Sequence, residues 1–206
     1  EDLSDHKFEL LCFDSEGLQV RRDLNCYLPD SQINAYVFNP DPQTTAMVSY
    51  GGSYADNGDA DAAALNAERQ NLIVETTYNN GVFTPGNQYV IISEHSAPSV
   101  QPITTTQGFF NNTRSESGFE DLNVLYHITI YQKYMRSLGF FNLVDYAIPV
   151  DAHALSGQDN SMFSSSTNPP RLFFGEGGVD DAEDADVVVH EYGHAISFSA
   201  APGSNV

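Results

Sequence analysis

Two periodicities of apolar and polar residues run along the chain, and each predicts a type of element. Residues 7–24 and 70–93 alternate between apolar and polar side chains around turns that contain Asp, Asn and Gly, which predicts β-hairpins. In residues 119–138 the large apolar side chains recur at helical spacing, and Gly139 follows the last of them. This segment therefore predicts a long helix.

The segments between these elements are less periodic. Residues 62–69 are rich in Ala and predict one or two helical turns, whereas residues 95–116, rich in Ser, Pro, Thr and Asn, predict a long loop or linker. Residues 146–150 and 171–174 predict two extended segments, joined by a loop rich in Ser, Asn and Pro. Strands and helices in this order predict an α+β fold.

A final helix is predicted up to about residue 199, and it carries the sequence His-Glu-Tyr-Gly-His at positions 190–194. Residues four apart on a helix share a face, so His190 and His194 can reach one metal ion. Glu191 points slightly away from that face, where its carboxylate can take a proton from a water that attacks a carbonyl group. The H-E-x-x-H pattern therefore predicts a zinc site with Glu191 as general base.

The alternative is an ordinary amphipathic helix with two half-buried histidines, because a short pattern with three fixed positions also arises by chance. The surrounding residues favour the zinc site. The helix begins at Asp184 or Asp186, where acidic residues suit a helix N-terminus, and residues 187–189 then form a fully apolar turn. No charged residue follows His194, which suits a helix that runs through a core.

The composition limits the function classes. The chain has 206 residues with 8 Lys and Arg against 28 Asp and Glu, so its formal net charge is −20. So few cations exclude a protein that binds nucleic acid through its phosphates, and the negative charge argues against docking on an anionic membrane. No apolar run approaches the roughly 18 residues that a membrane span needs. The chain starts at Glu1 and is poor in Lys but rich in Asn, Ser and Asp, which indicates a secreted, processed protein.

Two cysteines, Cys12 and Cys26, lie near each other in the sequence. In a secreted chain they can form a disulfide that closes a short loop, and the alternative is a pair of buried free thiols. The sequence leaves both alternatives open.

A zinc site of this type needs a third ligand, and the position of that ligand distinguishes the zinc peptidase families. The metzincin pattern requires Gly at position 197 and His at position 200, where this chain has Ser197 and Ala200. Gluzincins take a Glu from a later helix, and residues 195–206 contain no Glu, Asp, His or Cys. We therefore expect the third ligand to lie outside this tail.

Residues 186–197, with the sequence Asp-Val-Val-Val-His-Glu-Tyr-Gly-His-Ala-Ile-Ser, resemble the active-site helix of the fungalysin and thermolysin branch of the gluzincin metallopeptidases. Upstream, residues 159–161 followed by residues 169–174 resemble the fungalysin segment in which Asn-Asn-Ala precedes a Pro-Arg strand. The resemblance extends over residues 119–197, and residues 38–42 and 175–186 are similar to segments of secreted bacterial members. It implies a zincin-like α+β fold with a β-rich N-terminal region, a long helix, an edge-strand sheet and the active-site helix.

The resemblance implies a secreted zinc metalloendopeptidase. In that family His190 and His194 would bind zinc, and Glu191 would act as general base. The Pro-Arg strand would form the cleft edge that holds a peptide or protein substrate, and Asn160, together with Ser161, would contact the substrate backbone. The cleavage specificity remains open.

The resemblance also implies a domain organisation. Residues 1–36 contain a hairpin similar to the one that closes the propeptide of such peptidases, residues 37–114 form a β-rich N-terminal region and linker, and residues 115–206 form the N-terminal lobe of the catalytic domain. We expect the missing C-terminal lobe of the same enzyme to be a partner, and the chain alone to be weakly active or inactive. The alternative class is a non-catalytic binding or structural module with a relic or metal-free motif.

Acidic residues cluster at two places, and each is a candidate calcium site because calcium takes six to eight oxygen ligands. The clusters are Asp180, Asp181, Glu183, Asp184 and Asp186 before the last helix, and Asp56, Asp59 and Asp61 in an earlier loop. The resemblance to thermolysin relatives makes Asp186 a candidate calcium ligand. The alternatives are helix capping for the first cluster and an Asx-rich turn for the second.

Three further side chains have structural interpretations. His127 lies within the predicted long helix, where we expect it to pack, and Tyr192 is expected to pack within the final helix. His153 lies near the predicted edge strand. We expect a structural role for it, with a position in the cleft as the alternative.

Overall fold

The computed structural model describes residues 31–203 together with the backbone of two earlier strands. These strands, β1 (Glu9–Asp14) and β2 (Gly17–Asp23), pair antiparallel, which confirms the first predicted hairpin. The state of Cys12 and Cys26 falls outside the described residues.

The remaining elements confirm the predicted α+β class. The strands are β3 (Ser31–Val37), β4 (Gln70–Asn79), β5 (Val82–Thr84), β6 (Val90–Ile92), β7 (Phe109–Phe110), β8 (Ile148–Ala154), β9 (Ser161–Ser164) and β10 (Arg171–Gly175). The α-helices are α1 (Pro42–Ala46), α2 (Ala63–Glu68), α3 (Gly118–Ser137) and α4 (Ala185–Ala200). Short 3₁₀ turns lie at Gly52–Tyr54, Leu155–Gly157 and Asp181–Glu183.

The first large sheet has the strand order β5-β4-β3-β7. Ile33, Ala35 and Val37 of β3 alternate into the core, as the period of two in a half-buried strand requires. β4 and β5 are joined by a turn in which Asn80 and Gly81 both have positive φ. Asn and Gly tolerate that conformation, so this pair predicts the hairpin correctly.

The second large sheet has the order β6-β8-β10-β9, in which β6, β8 and β10 run parallel and β9 runs antiparallel at the edge. β9 falls in a segment predicted to be a loop, and that prediction is wrong. The resemblance places the cleft edge at the Pro-Arg strand, which is β10, but β10 lies between β8 and β9. Four residues are too few to show an alternation of apolar and polar side chains. β9 is therefore defined by its pairing with β10 and not by a local sequence pattern.

α3 packs against strands of both large sheets and against α4. Leu122, Leu125 and Ile128 are fully buried in a cluster that includes Ile33 of β3 and Val188 of α4. The expected domain boundaries follow residues 36 and 114. The described elements before and after both boundaries contribute to one core.

The ends of α3 and α4 follow the expected signals. The first turn of α3 carries Glu120 and Asp121, and its last turn carries Arg136, so the charges complement the helix dipole. Asp184 caps α4 by accepting a hydrogen bond from the backbone N–H of Asp186 at 2.8 Å. None of the described helices is both long and apolar enough to cross a bilayer.

Gly175, at the end of β10, lies against the chain that leads into β9. A Cβ atom at this position would lie 2.0 Å from the carbonyl oxygen of Gln158 and 2.8 Å from that of Asn160. We predict that Gly175→Ala lowers the free energy of unfolding by about 1–3 kcal/mol, because a backbone segment must move to relieve the overlap. Chemical denaturation measures this change.

Gly108→Ala is the matched control, because a Cβ atom there would meet no atom within 4 Å. We expect this variant to remain within about 0.5 kcal/mol of the unmodified protein. Equal stability of the two variants would contradict the close approach of Gly175 to the segment before β9.

Candidate active site

The apolar face of α4 fixes the orientation of the helix. Val188, Tyr192 and Ala195 are buried in the core, where α4 packs on α3. The hydroxyl of Tyr192 donates a hydrogen bond to Oε1 of Gln132 on α3 at 2.9 Å, and its ring meets the ring of Tyr131 edge to face. The predicted packing role of Tyr192 is confirmed.

His190 and His194 lie on a more exposed face of the same helix. Their Nε2 atoms are 3.2 Å apart, and the two rings are nearly perpendicular. His190 is exposed and His194 is half-buried. The helical spacing therefore brings both imidazoles to one point, as the sequence predicts.

The distance between these two nitrogens fits a zinc ion. Zinc in tetrahedral coordination has Zn–N distances of about 2.0–2.1 Å, which separate two ligand nitrogens by about 3.3–3.4 Å. In a hydrogen bond between two imidazoles, one ring nitrogen is the donor and the other is the acceptor. A shared cation instead accepts the lone pair of each of the two nitrogens. The arrangement of His190 and His194 therefore suits a shared cation.

Glu191 lies beside the histidine pair. One carboxylate oxygen of Glu191 and one ring nitrogen of each histidine all lie within 4.8 Å of one another. Glu191 is 8 % exposed, and with His194 it lines an open cleft whose other wall is Ser161, Met162 and Phe163 of β9. A carboxylate in this position can exchange protons with a group bound in the cleft.

β9 forms the far wall of the cleft because it packs on α4. The rings of Phe163 and Phe198 lie 5.7 Å apart between centroids. Met162 and Phe163 are cleft residues that the sequence analysis missed, because they belong to the strand that it did not predict. The only local signal was the apolar pair Met-Phe between two serines, which does not show the alternation of a half-buried strand.

The two predicted substrate contacts occupy different positions. Asn160 is exposed immediately before β9, and its backbone carbonyl accepts a hydrogen bond from Gly175 N–H at 3.1 Å. Ser161 lines the cleft, but its hydroxyl donates to Oδ2 of Asp181 at 2.5 Å. The side chain of Asn160 is therefore exposed outside the set of residues that line the cleft, whereas that of Ser161 already has an internal partner. The role of both residues in substrate binding stays a prediction.

Asp186, the candidate calcium ligand, is exposed on the first turn of α4. Its backbone N–H donates a hydrogen bond to the capping carboxylate of Asp184. The helix-capping interpretation therefore applies to Asp184, and the role of Asp186 as a calcium ligand stays a prediction.

His127 and His153 lie away from the cleft, as the structural interpretation predicts. The Nε2 atom of His127 donates to the carbonyl oxygen of Phe38 at 2.8 Å. His153 is 3 % exposed, and its Nε2 atom donates to the carbonyl oxygen of Ser117 at 2.7 Å while Nδ1 lies 2.7 Å from Oε1 of Glu176. Both side chains join segments that are distant in the sequence.

Comparison of the chain with known protein-family models gives no match, and comparison with curated proteins gives none either.

The burial of His127 generates a prediction about acid stability. Burial lowers its pKa to about 4, against the opposing effects of the Phe38 carbonyl and Asp186. Between pH 6.5 and pH 4 the unfolded chain therefore binds a proton at His127 that the folded chain does not, so the contribution of His127 to stability falls as the pH falls. We predict that this histidine alone removes about 3 kcal/mol over that range, measured by denaturation at a series of pH values.

In His127→Gln the side-chain amide can still donate to the Phe38 carbonyl but cannot take up a proton. We expect the change in its free energy of unfolding between pH 6.5 and pH 4 to differ from that of the unmodified protein by about 3 kcal/mol, in favour of the variant at pH 4. His190→Gln changes an exposed histidine and should keep the slope of the unmodified protein. An unchanged slope in His127→Gln would overturn this account.

Proposed function

We propose that the protein is a secreted zinc-dependent metalloendopeptidase of the gluzincin branch, with a zincin-like fold. The observation that carries the proposal is the pair of Nε2 atoms 3.2 Å apart, with Glu191 beside them in a cleft whose opposite wall is an edge strand. A zinc-binding motif, a general base and a binding edge for the substrate are parts that zinc-dependent peptide hydrolysis uses.

The edge strand supports the choice of an extended peptide as substrate. β9 pairs with β10 on one side only among the described residues, so its outer edge offers backbone donors and acceptors. An extended peptide can add to such an edge as a further strand, with alternate side chains in pockets. Asn160, exposed at the start of β9, would then contact the peptide backbone.

Glu191 would carry the proton transfers of the reaction. When bound by His190 and His194, zinc supplies a Lewis acid that activates water and polarises the peptide carbonyl. Glu191 takes a proton from the attacking water and later gives it to the nitrogen of the leaving amine. The cleft position of Glu191, next to His194 and opposite Ser161, supports both transfers.

We propose that the third zinc ligand lies outside the described residues. Within these residues, the group around His190 and His194 contains Glu191 and no other carboxylate, histidine or cysteine. Glu191 cannot be ligand and general base at once. The C-terminal lobe of the same enzyme is therefore proposed as the partner that completes the site.

The test measures hydrolysis of an unfolded protein by the complete natural gene product, together with its zinc content. We predict that Glu191→Gln retains zinc but loses at least about 10²-fold in rate, because only the proton transfers are removed. His194→Ala should lose zinc as well as activity. Glu68→Gln, a change of the same type on α2, is the matched control and should alter neither quantity.

Two results would contradict the proposal. Zinc bound without hydrolysis would favour the alternative, a non-catalytic binding module. Full activity in Glu191→Gln would remove Glu191 from its assigned role.

A further inference from the structure

A second group of acidic side chains lies away from the histidine pair, where an early loop, the start of α3 and the 3₁₀ turn before α4 meet. The group consists of Asp56, Asp59, Glu120, Asp180 and Glu183. Along the sequence, the acids of the loop and those before α4 form two separate clusters. The fold brings members of both together and adds Glu120, which no sequence pattern singled out.

The guanidinium of Arg114 lies among these carboxyl groups. Arg114 is 1 % exposed, and its Nε and Nη2 atoms donate to Glu183 at 2.8–3.1 Å. Its Nη2 atom also binds Asp56, and it lies 3.8 Å from Oδ1 of Asp59. Three carboxyl groups, those of Asp56, Asp59 and Glu183, therefore lie within 4 Å of one guanidinium, which supplies a single positive charge.

Within this group, Glu120 has the fewest interactions that could offset the burial of its charge. It is 1 % exposed, and neither of its carboxylate oxygens has a hydrogen-bond partner. Nε2 of His153 lies 3.9 Å from Oε2 of Glu120, but that nitrogen already donates to the carbonyl of Ser117. A buried carboxylate without partners is costly, so its place in the core needs a counter-charge or a proton.

One oxygen from each of Asp59, Glu120, Asp180 and Glu183 lies within 4.8 Å of the other three. Calcium–oxygen distances of about 2.3–2.6 Å allow two ligands of one ion to be up to about 5 Å apart. We propose that these four carboxylates bind one calcium ion. Arg114 acts as the positioning residue that holds Glu183 towards the ion.

The chemistry of the ligands favours calcium over other cations. All four ligands are hard oxygens, which zinc sites seldom use alone. Magnesium usually keeps several waters, whereas Glu120, Asp180 and Glu183 are at most 4 % exposed.

This calcium site is independent of the proposed peptidase activity. Its ligands differ from His190, His194 and Glu191, and they also differ from Asp186. A cation held by Asp59, Glu120, Asp180 and Glu183 would tie the early loop and the start of α3 to the turn that leads into α4.

The test titrates the purified protein with CaCl₂ in a calorimeter and records its thermal unfolding. We predict one bound Ca²⁺ per chain, a rise in Tm with Ca²⁺ concentration, and at least tenfold weaker binding of Mg²⁺. The absence of binding up to about 10 mM Ca²⁺, a range that includes the weakest extracellular sites, would overturn the proposal. Binding of Mg²⁺ as tight as that of Ca²⁺ would overturn the choice of ion.

The Ca²⁺ affinities of variants at the proposed ligands test where the ion binds. Glu120→Gln keeps the size of a buried side chain and should weaken Ca²⁺ binding at least tenfold. Asp59→Asn changes a side chain that is 39 % exposed, so it tests the same site if Glu120→Gln does not fold. Asp186→Asn, the charge-matched control, should change the affinity less than twofold. Loss of binding in Asp186→Asn, or unchanged affinity in both Glu120→Gln and Asp59→Asn, would contradict the assignment.

Discussion

The packing of α4 against α3 decides the geometry of the candidate active site. Val188 and Tyr192 fill the core, and the hydrogen bond from Tyr192 to Gln132 fixes the rotation of α4 about its axis. Once these residues face inward, the helical period directs His190 and His194 towards the cleft. The two imidazoles therefore meet because of apolar packing behind them, before any metal contributes.

Elements with a local pattern could be predicted from the sequence, and elements made by distant pairing could not. α3 and α4 each depend on periodic apolar residues and end signals, and both lie within about one residue of the predicted helices. β9 has four residues, and its position as edge strand depends on β10. The wall of the cleft opposite Glu191 was missed for the same reason.

Part of the acidic charge of the chain lies inside the folded protein and not on its surface. A formal charge of −20 suggests a solvated surface, and residues 95–116 suggest a linker. Arg114, near the end of that segment, is instead buried against Glu183, 69 residues later in the chain. Composition cannot predict such a contact, because it depends on which side chains the folded core brings together. Part of the acidic charge is thus concentrated where the chain enters α4, a few residues from the histidine pair.

The position of a bound zinc ion is the most direct test of the histidine pair as a metal site. Crystals grown with zinc and measured at the zinc absorption edge would locate the ion by its anomalous scattering. If His190 and His194 form the zinc site, a peak will lie about 2 Å from the Nε2 atoms of both residues, with Glu191 next to it and not coordinated. The absence of a peak between the two imidazoles, or coordination of the zinc ion by Glu191, would refute this assignment.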